Sequence, residues 1–194
     1  KDFISQFIYD YKIEKTKMII VNVNVGEMCL ERRCPKSHFV SLLNSLVKYT
    51  GLSFVFIGAD EDYNYAQSVI DSLDRKEGIV NLAGKASFGQ LLTLFEASAL
   101  FITSDSGPLH LSEFTDIKTI SFFGPETPVL YGPTNPNHTV FYKGLYCSPC
   151  LNVYNLKTAM YGNKRCFEGR NRCMQSITVE EVLEKAKELL GINK

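Results

Sequence analysis

The sequence predicts an α/β fold, a doubly wound, Rossmann-like parallel sheet. Three observations carry the prediction. Short apolar, β-branched runs alternate with longer segments of helical period, and that alternation implies parallel strands joined by right-handed crossovers. The runs lack polar alternation, so helices cover both faces of the sheet. The runs also stop at short loops such as "NVNVGE", "IGADED", "LAGKAS", "TSDSGP" and "FFGPET". In open α/β sheets, ligands bind beyond such strand ends.

Taken in order, Met18 to Val23 ("MIIVNV") reads as the first strand. Lys36 to Thr50 has helical spacing through Phe39, Leu42, Leu43, Leu46 and Val47, and Gly51 ends it. Ser53 to Ile57 is the second strand, and Glu61 to Leu73 a helix facing inward through Ala66, Val69, Ile70 and Leu73. Ile79 to Leu82 is the third strand. Ser87 with Gln90 forms a capping box opening a helix to Ala97. Ala99 to Thr103 is the fourth strand, Ser106 to Thr115 a helix, Thr119 to Phe123 the fifth strand and Thr139 to Tyr142 a sixth. Thr178 and Glu181 box the last helix, to Leu190. Residues 143–175, rich in Cys, Asn, Gly and basic side chains, interrupt the pattern as a long excursion. Residues 1–17 show no core strand and are expected to link residues 18–194, one nucleotide-binding domain, to a preceding N-terminal domain.

Composition excludes several classes. The 194 residues are 45% hydrophobic and 22% charged with a formal net charge of zero, which leaves no basic footprint for nucleic acid. No apolar run reaches the ~20 residues that span a bilayer, and no secretory signal is visible. Six cysteines in such a chain suit a reducing cytoplasm better than a secreted disulfide scaffold.

Chemistry gathers at "SDSGPLH". Asp105 and Ser106 stand at a strand-to-helix junction where either can cap by accepting a backbone N–H. Pro108 suits the first turn, and Gly107 permits close approach of strand or ligand. First-turn amides and the helix dipole favour an anion there. Ser106 and His110 share a face, with Leu111 and Phe114 directed to the sheet. Asp105, costly beside phosphate, must pair with a cation or accept sugar hydroxyls. A plain cap and a half-buried histidine would satisfy the same pattern.

The other strand ends add candidates, each with a structural alternative. Asn24 and Gly26 could approach phosphate, and Arg32 or Arg33 could neutralise it. Asp60 or Glu61 could take ribose hydroxyls, or Asp60 could cap a helix. Lys85 is a counter-charge or a surface lysine, and Thr127 follows a tight Gly124-Pro125 turn from which it could reach a ligand. No G-x-G-x-x-G follows the first strand, which disfavours hydride transfer. Among the late cysteines, Cys147 and Cys150 have knuckle spacing, but six residues between Cys166 and Cys173 are too many for a second knuckle. Zinc, reduced thiols and a disulfide all remain open, and no metal is assigned.

These pieces, in this order, resemble the lipopolysaccharide heptosyltransferase family (glycosyltransferase family 9). The likeness runs through "NLAGKASFGQLLTLFEASALFITSDSGPLHL", "FFGPETPVLYGP", "CSPC" and "RCMQSITVEEVLEKAKELL". It implies the C-terminal, donor-binding half of a GT-B enzyme with two facing Rossmann-like domains. It implies an ADP-heptose or other nucleotide-sugar donor, inverting transfer, and no required cofactor or metal. The family's donor motif matches Asp105, Ser106, Gly107 and His110; its basic loop residue matches Arg32; its acid after the second strand matches Asp60 or Glu61. The family's catalytic base lies on the N-terminal domain, so this stretch alone is expected to bind donor without turnover. The acceptor, a lipid-linked saccharide, would arrive through that domain, in the cytoplasm or peripherally at the inner membrane. Arg32 in place of Lys, Cys34 in place of Trp, Ser112-Glu113-Phe114 and Asp116-Ile117-Lys118 depart from the family pattern and bear on the identity of the sugar. The alternatives are a non-catalytic nucleotide-binding α/β module and another sugar-nucleotide enzyme such as an epimerase.

Overall fold

The computed structural model describes residues 3–14, 17–26, 29–49, 51–151, 166 and 170–192. After helix α1 (Phe3–Tyr11), strands β1 (Met18–Asn22), β2 (Ser53–Phe56) and β3 (Ile79–Asn81) alternate with α2 (Lys36–Leu46), α3 (Tyr63–Asp71) and α4 (Phe88–Glu96). The second half runs β4 (Leu100–Ser104), α5 (Gly107–Ser112), β5 (Thr119–Phe123), α6 (Pro128–Tyr131), β6 (His138–Tyr142), α7 (Arg172–Gln175) and α8 (Val179–Leu190). The six strands are all parallel, in the order β3-β2-β1-β4-β5-β6. Strand order reverses between β1 and β4, where Ile19 pairs with Leu100 and Asn22 with Thr103. In open α/β sheets such a boundary is where ligands bind, in the crevice beyond the strands' carboxyl ends.

Alternate side chains of each strand feed opposite faces. Ile19, Val21, Phe54, Phe56, Ile102 and Phe122 join one core, sealed by Phe39, Leu43 and Leu46 of α2 and by Val182 and Ala186 of α8. Met18, Ile20, Val55 and Phe101 join the other, with Leu94 and Phe95 of α4 and Ile4 and Phe7 of α1. Burying a Leu or Phe side chain contributes roughly 1.5–3 kcal/mol, so the two faces supply the main driving force. Both expected capping boxes form: Ser87 N–H donates to Gln90 Oε1 at 2.9 Å, and Thr178 N–H donates to Glu181 Oε1 at 2.7 Å.

The structure corrects the sequence reading in three places. Residues 3–11, expected within a linker, form a helix whose Ile4 and Phe7 are buried in the second core. The segment carries apolar residues at helical spacing (Phe3, Ile4, Phe7, Ile8), a signal that a search for strands passes over. The helix after β4 stops at Ser112, three residues short of the expected end. Leu109 and Ser112 therefore face the sheet, while Phe114 lies past the helix and is 81% exposed. The helix expected from Glu61 begins at Tyr63, after a 3-10 turn spanning Asp60–Asp62.

Of the excursion at 143–175, residues 152–165 and 167–169 lie outside the described residues. Its start is tied to the loop after β5: the N–H groups of Cys150 and Leu151 both donate to Pro125 O, at 2.9 and 2.8 Å. Its end, α7, buries Cys173 and Met174 against the same loop. A Cβ on Gly124 would come within 2.5 Å of Met174 Sδ, so this position takes glycine for lack of room.

Candidate functional site

The crevice at the β1–β4 boundary collects buried polar groups. Asn22 ends β1 and donates through Nδ2 to Ser106 Oγ at 3.0 Å; Thr103 Oγ1 lies 3.0 Å from the same oxygen. Ser106 thus occupies the cap position of α5 with its hydroxyl turned to the strands. Neither it nor Asp105 makes the expected side-chain cap. The physical reason is competition, since two fixed polar groups on β1 and β4 claim the hydroxyl first.

Asp105 is also buried, and its carboxylate meets Arg32, with Nη1 to Oδ2 at 3.2 Å. The guanidinium is held from the other side by Val25 O, to which Nη2 donates at 3.2 Å. Arg32 reaches the crevice from a single 3-10 turn, Leu30–Arg32, in the loop after β1. Gly26 precedes that turn with φ +67, a left-handed conformation that glycine adopts without strain. Of the cations and hydroxyls weighed as partners for Asp105, the structure supplies the cation. Arg32 Nε has no hydrogen-bond partner among the described residues.

Gly107 opens α5 at the surface, and a Cβ there would meet nothing within 4 Å. Packing against the strand therefore does not require glycine, and the space before the first turn is open. His110 is exposed, with Nδ1 3.6 Å from Glu113 Oε1. Burial pushes the Glu113 carboxyl up, but hydrogen bonds from the Thr134 N–H and hydroxyl, with help from His110, hold it below its ordinary range.

The remaining candidates separate into two groups. Asn24 lies at the mouth, but its amide is occupied: Nδ2 donates to Asp62 Oδ1, and Oδ1 accepts from Arg33. Asp62 is buried, and its other oxygen accepts the Ala59 N–H at 2.8 Å. Arg33 stacks over Tyr65 with its guanidinium carbon 3.9 Å from the ring centroid. Asp60, Glu61 and Lys85 are all exposed. Asp60 packs beside Gly84, where a Cβ would come within 2.6 Å of its Oδ1, and Lys85 Nζ sits 4.9 Å from the Tyr63 ring centroid. These three belong to the β2–β3 end and do not meet Arg32. Thr127 caps α6, its Oγ1 accepting the Val129 N–H at 3.2 Å.

Two acids escaped the sequence reading. Asp62 is the third of three consecutive acids, and only the 3-10 turn decides which one folds back. Its signal was Gly58, where a Cβ would come 2.8 Å from Asp62 Oδ2. The other is Glu126, 5% exposed in the loop after β5. Burial and then the Asp105 charge push its carboxyl up, against the pull of Arg32, to a pKa of about 7. Its Oε1 has no hydrogen-bond partner among the described residues.

Cys147, Cys150, Cys166 and Cys173 are free thiols. Burial raises Cys150, and Cys166 and Cys147 raise it further; burial lifts Cys173 to about 11, with lesser contributions from the other three. Among the described residues no group of three or more His, Cys, Asp or Glu is arranged to hold a metal ion.

The family model for glycosyltransferase family 9 (heptosyltransferase) matches residues 11–160. The chain belongs to glycosyltransferase family 9. It is 34% identical over 113 residues to lipooligosaccharide heptosyltransferase 2 of Campylobacter jejuni, covering 58% of this chain and 32% of that one. Against the Haemophilus influenzae enzyme of the same name it is 26% identical over 162 residues, covering 82% of this chain and 44% of that one. Among solved structures, ADP-heptose LPS heptosyltransferase II of E. coli superposes with a TM-score of 0.74 at 22% identity, covering 96% of this chain and 50% of that one. A family 9 glycosyltransferase from Veillonella parvula gives 0.75 at 24%, covering 97% and 50%. The two structures share this fold. The chain spans half or less of the length of these relatives.

Proposed function

We infer that this family 9 chain is the donor-binding half of an inverting GT-B glycosyltransferase that moves a sugar, heptose by the family's pattern, from an ADP-sugar to lipopolysaccharide core. The observation that carries the reading is the Arg32–Asp105 pair at the strand-order reversal, in front of the open turn at Gly107. A guanidinium held in place by a buried carboxylate and a backbone carbonyl is preorganised. It need not reorient when negative charge grows on the departing nucleoside diphosphate, and such stabilisation is usually the largest part of transfer catalysis. The diphosphate would lie over the Ser106–Gly107 turn, with His110 at the rim to orient phosphate or sugar. Asp105 acts through Arg32 and so is a positioning residue.

The acceptor hydroxyl and the base that deprotonates it would come from outside residues 1–194. The reading calls for no cofactor and no metal ion. It places the protein at the cytoplasmic side, peripheral to the membrane that carries the acceptor. Among the described residues no helix is long and apolar enough to cross a membrane.

Titration calorimetry with ADP-heptose, ADP-glucose and UDP-glucose tests the reading. Binding of an ADP-sugar that weakens at least about 10-fold in Arg32→Ala is the expected result, the size of one lost charge-assisted contact of ~1.4–3 kcal/mol. Absence of heat and of chemical-shift change with every donor would overturn it.

A further inference from the structure

Glu126 has no part in the mechanism above, yet it is among the most deeply buried acids of the molecule. Three features fix where it stands. Its loop leaves β5 beside the end of β4, with the Asp105 N–H donating to Phe122 O at 3.1 Å. The loop is clamped from behind by the Cys150 and Leu151 amides on Pro125 O and by the Ser148 hydroxyl on Gly124 O. Its carboxyl is near enough to Asp105 and Arg32 to feel both charges. A buried carboxyl beside other polar groups, with Oε1 unpaired among the described residues, incurs a desolvation cost that a protein seldom leaves uncompensated.

We propose that Glu126 is a further donor-site residue, which holds the diphosphate of a nucleotide-sugar as its neutral acid and repels it as its carboxylate. The inference rests on the donor-site reading of the same crevice. As the acid, Glu126 gives the crevice an O–H donor, and Arg32 with Asp105 leaves it neutral. As the carboxylate, it makes the site net negative beside an incoming dianion. The titratable groups facing it among the described residues are Asp105 from β4, Arg32 from the loop after β1, and Cys150 from the excursion, whose thiol Glu126 helps to raise. Asp105 is paired to Arg32, the Cys150 thiol is pushed up from its ordinary value near 9, and the Glu126 carboxyl is pushed up to about 7.

Calorimetry with ADP-glucose, whose bridged phosphates carry no proton to lose in this range, provides the test at about pH 6 and about pH 8. The chain should bind about 10-fold more tightly at the lower pH, the effect of one like charge near the ligand. Glu126→Gln, close to isosteric, should hold the low-pH affinity at both values. Equal affinities in the unaltered chain, or a pH dependence surviving in Glu126→Gln, would overturn the assignment of Glu126 while leaving the donor site standing. No binding of ADP-heptose, ADP-glucose or UDP-glucose at either pH would overturn both. A carbon-13 NMR titration of the Glu126 carboxyl in the unaltered chain is independent of how the variant folds. Its midpoint should lie near 7 and rise on adding ADP-glucose; an ordinary glutamate midpoint, or none of that rise, refutes the proposal.

Discussion

The two ends of the crevice use buried acids in opposite ways. At the β1–β2 end the acid is fully paired, although Arg33 Nε, like Arg32 Nε, has no partner among the described residues. Asp62 spends one carboxylate oxygen on Asn24 and the other on the Ala59 N–H, and Asn24 spends both ends of its amide. At the β1–β4–β5 end the acid is not: Glu126 leaves Oε1 unpaired among the described residues. A fully paired acid fastens loops together, while an unpaired one keeps capacity for a ligand. The contrast locates the candidate site more narrowly than residue type could, because acids and arginines occur at both ends.

If the β1–β2 end is structural, Asp62→Ala should give the largest stability loss. It would leave the Asn24 amide and the Ala59 N–H without a partner, and chemical denaturation should register about 3 kcal/mol. Donor affinity should follow only through the loss of folded protein.

Glu126→Gln should act in the opposite direction, and only at higher pH. Folded Glu126 keeps its proton to about 7, whereas its ordinary value is 4.5. Between those values the folded state binds more protons than the unfolded one, so this group's contribution to stability falls as pH rises, then levels off. The variant should therefore be more stable than the unaltered chain by about 2 kcal/mol at pH 8, with the difference vanishing near pH 4, measured by urea midpoints. A constant difference across that range would show that the two ends do not differ as described.

Arg32→Lys keeps the charge but loses the fork that spans Val25 O and Asp105. ADP-sugar affinity should drop about 10-fold with stability changed by less than about 1 kcal/mol. The smallest effect belongs outside both networks. Lys85→Ala should shift stability by no more than about 0.5 kcal/mol and leave donor affinity unchanged. A clear loss of affinity there would extend the site to the β3 loop.

Most of the sheet was legible in the sequence because its strands are short apolar runs with helical segments between them, a local signal. Asp105 and Gly107 were legible as well, since a strand-to-helix junction with Asp, Gly and Pro is a local pattern; the residues alone left Arg32 and Arg33 open, and only the family resemblance selected Arg32. Asp62 and Glu126 were not. Among Asp60, Glu61 and Asp62 the residue types are nearly interchangeable, and the turn geometry alone selects the buried one. Glu126 sits between two prolines in what reads as an exposed turn. Ser148, Cys150, Leu151, Cys173 and Met174 pack against that turn, a contact between parts of the chain far apart in sequence. The orientation around Phe114 failed for a different reason: a helical wheel presumes that the helix continues, and α5 ends at Ser112.

Helix α8 closes the first core by lying on α2, well over a hundred residues earlier in the chain. On a ribosome, Phe39, Leu43 and Leu46 would emerge long before Val182 and Ala186 arrive to cover them. For that interval the nascent chain displays a greasy flank with no mate, the kind of surface that chaperones hold and that sticks to its neighbours at high expression. Growth temperature and synthesis rate should therefore govern recovery of intact protein more strongly than the stability of the finished fold does.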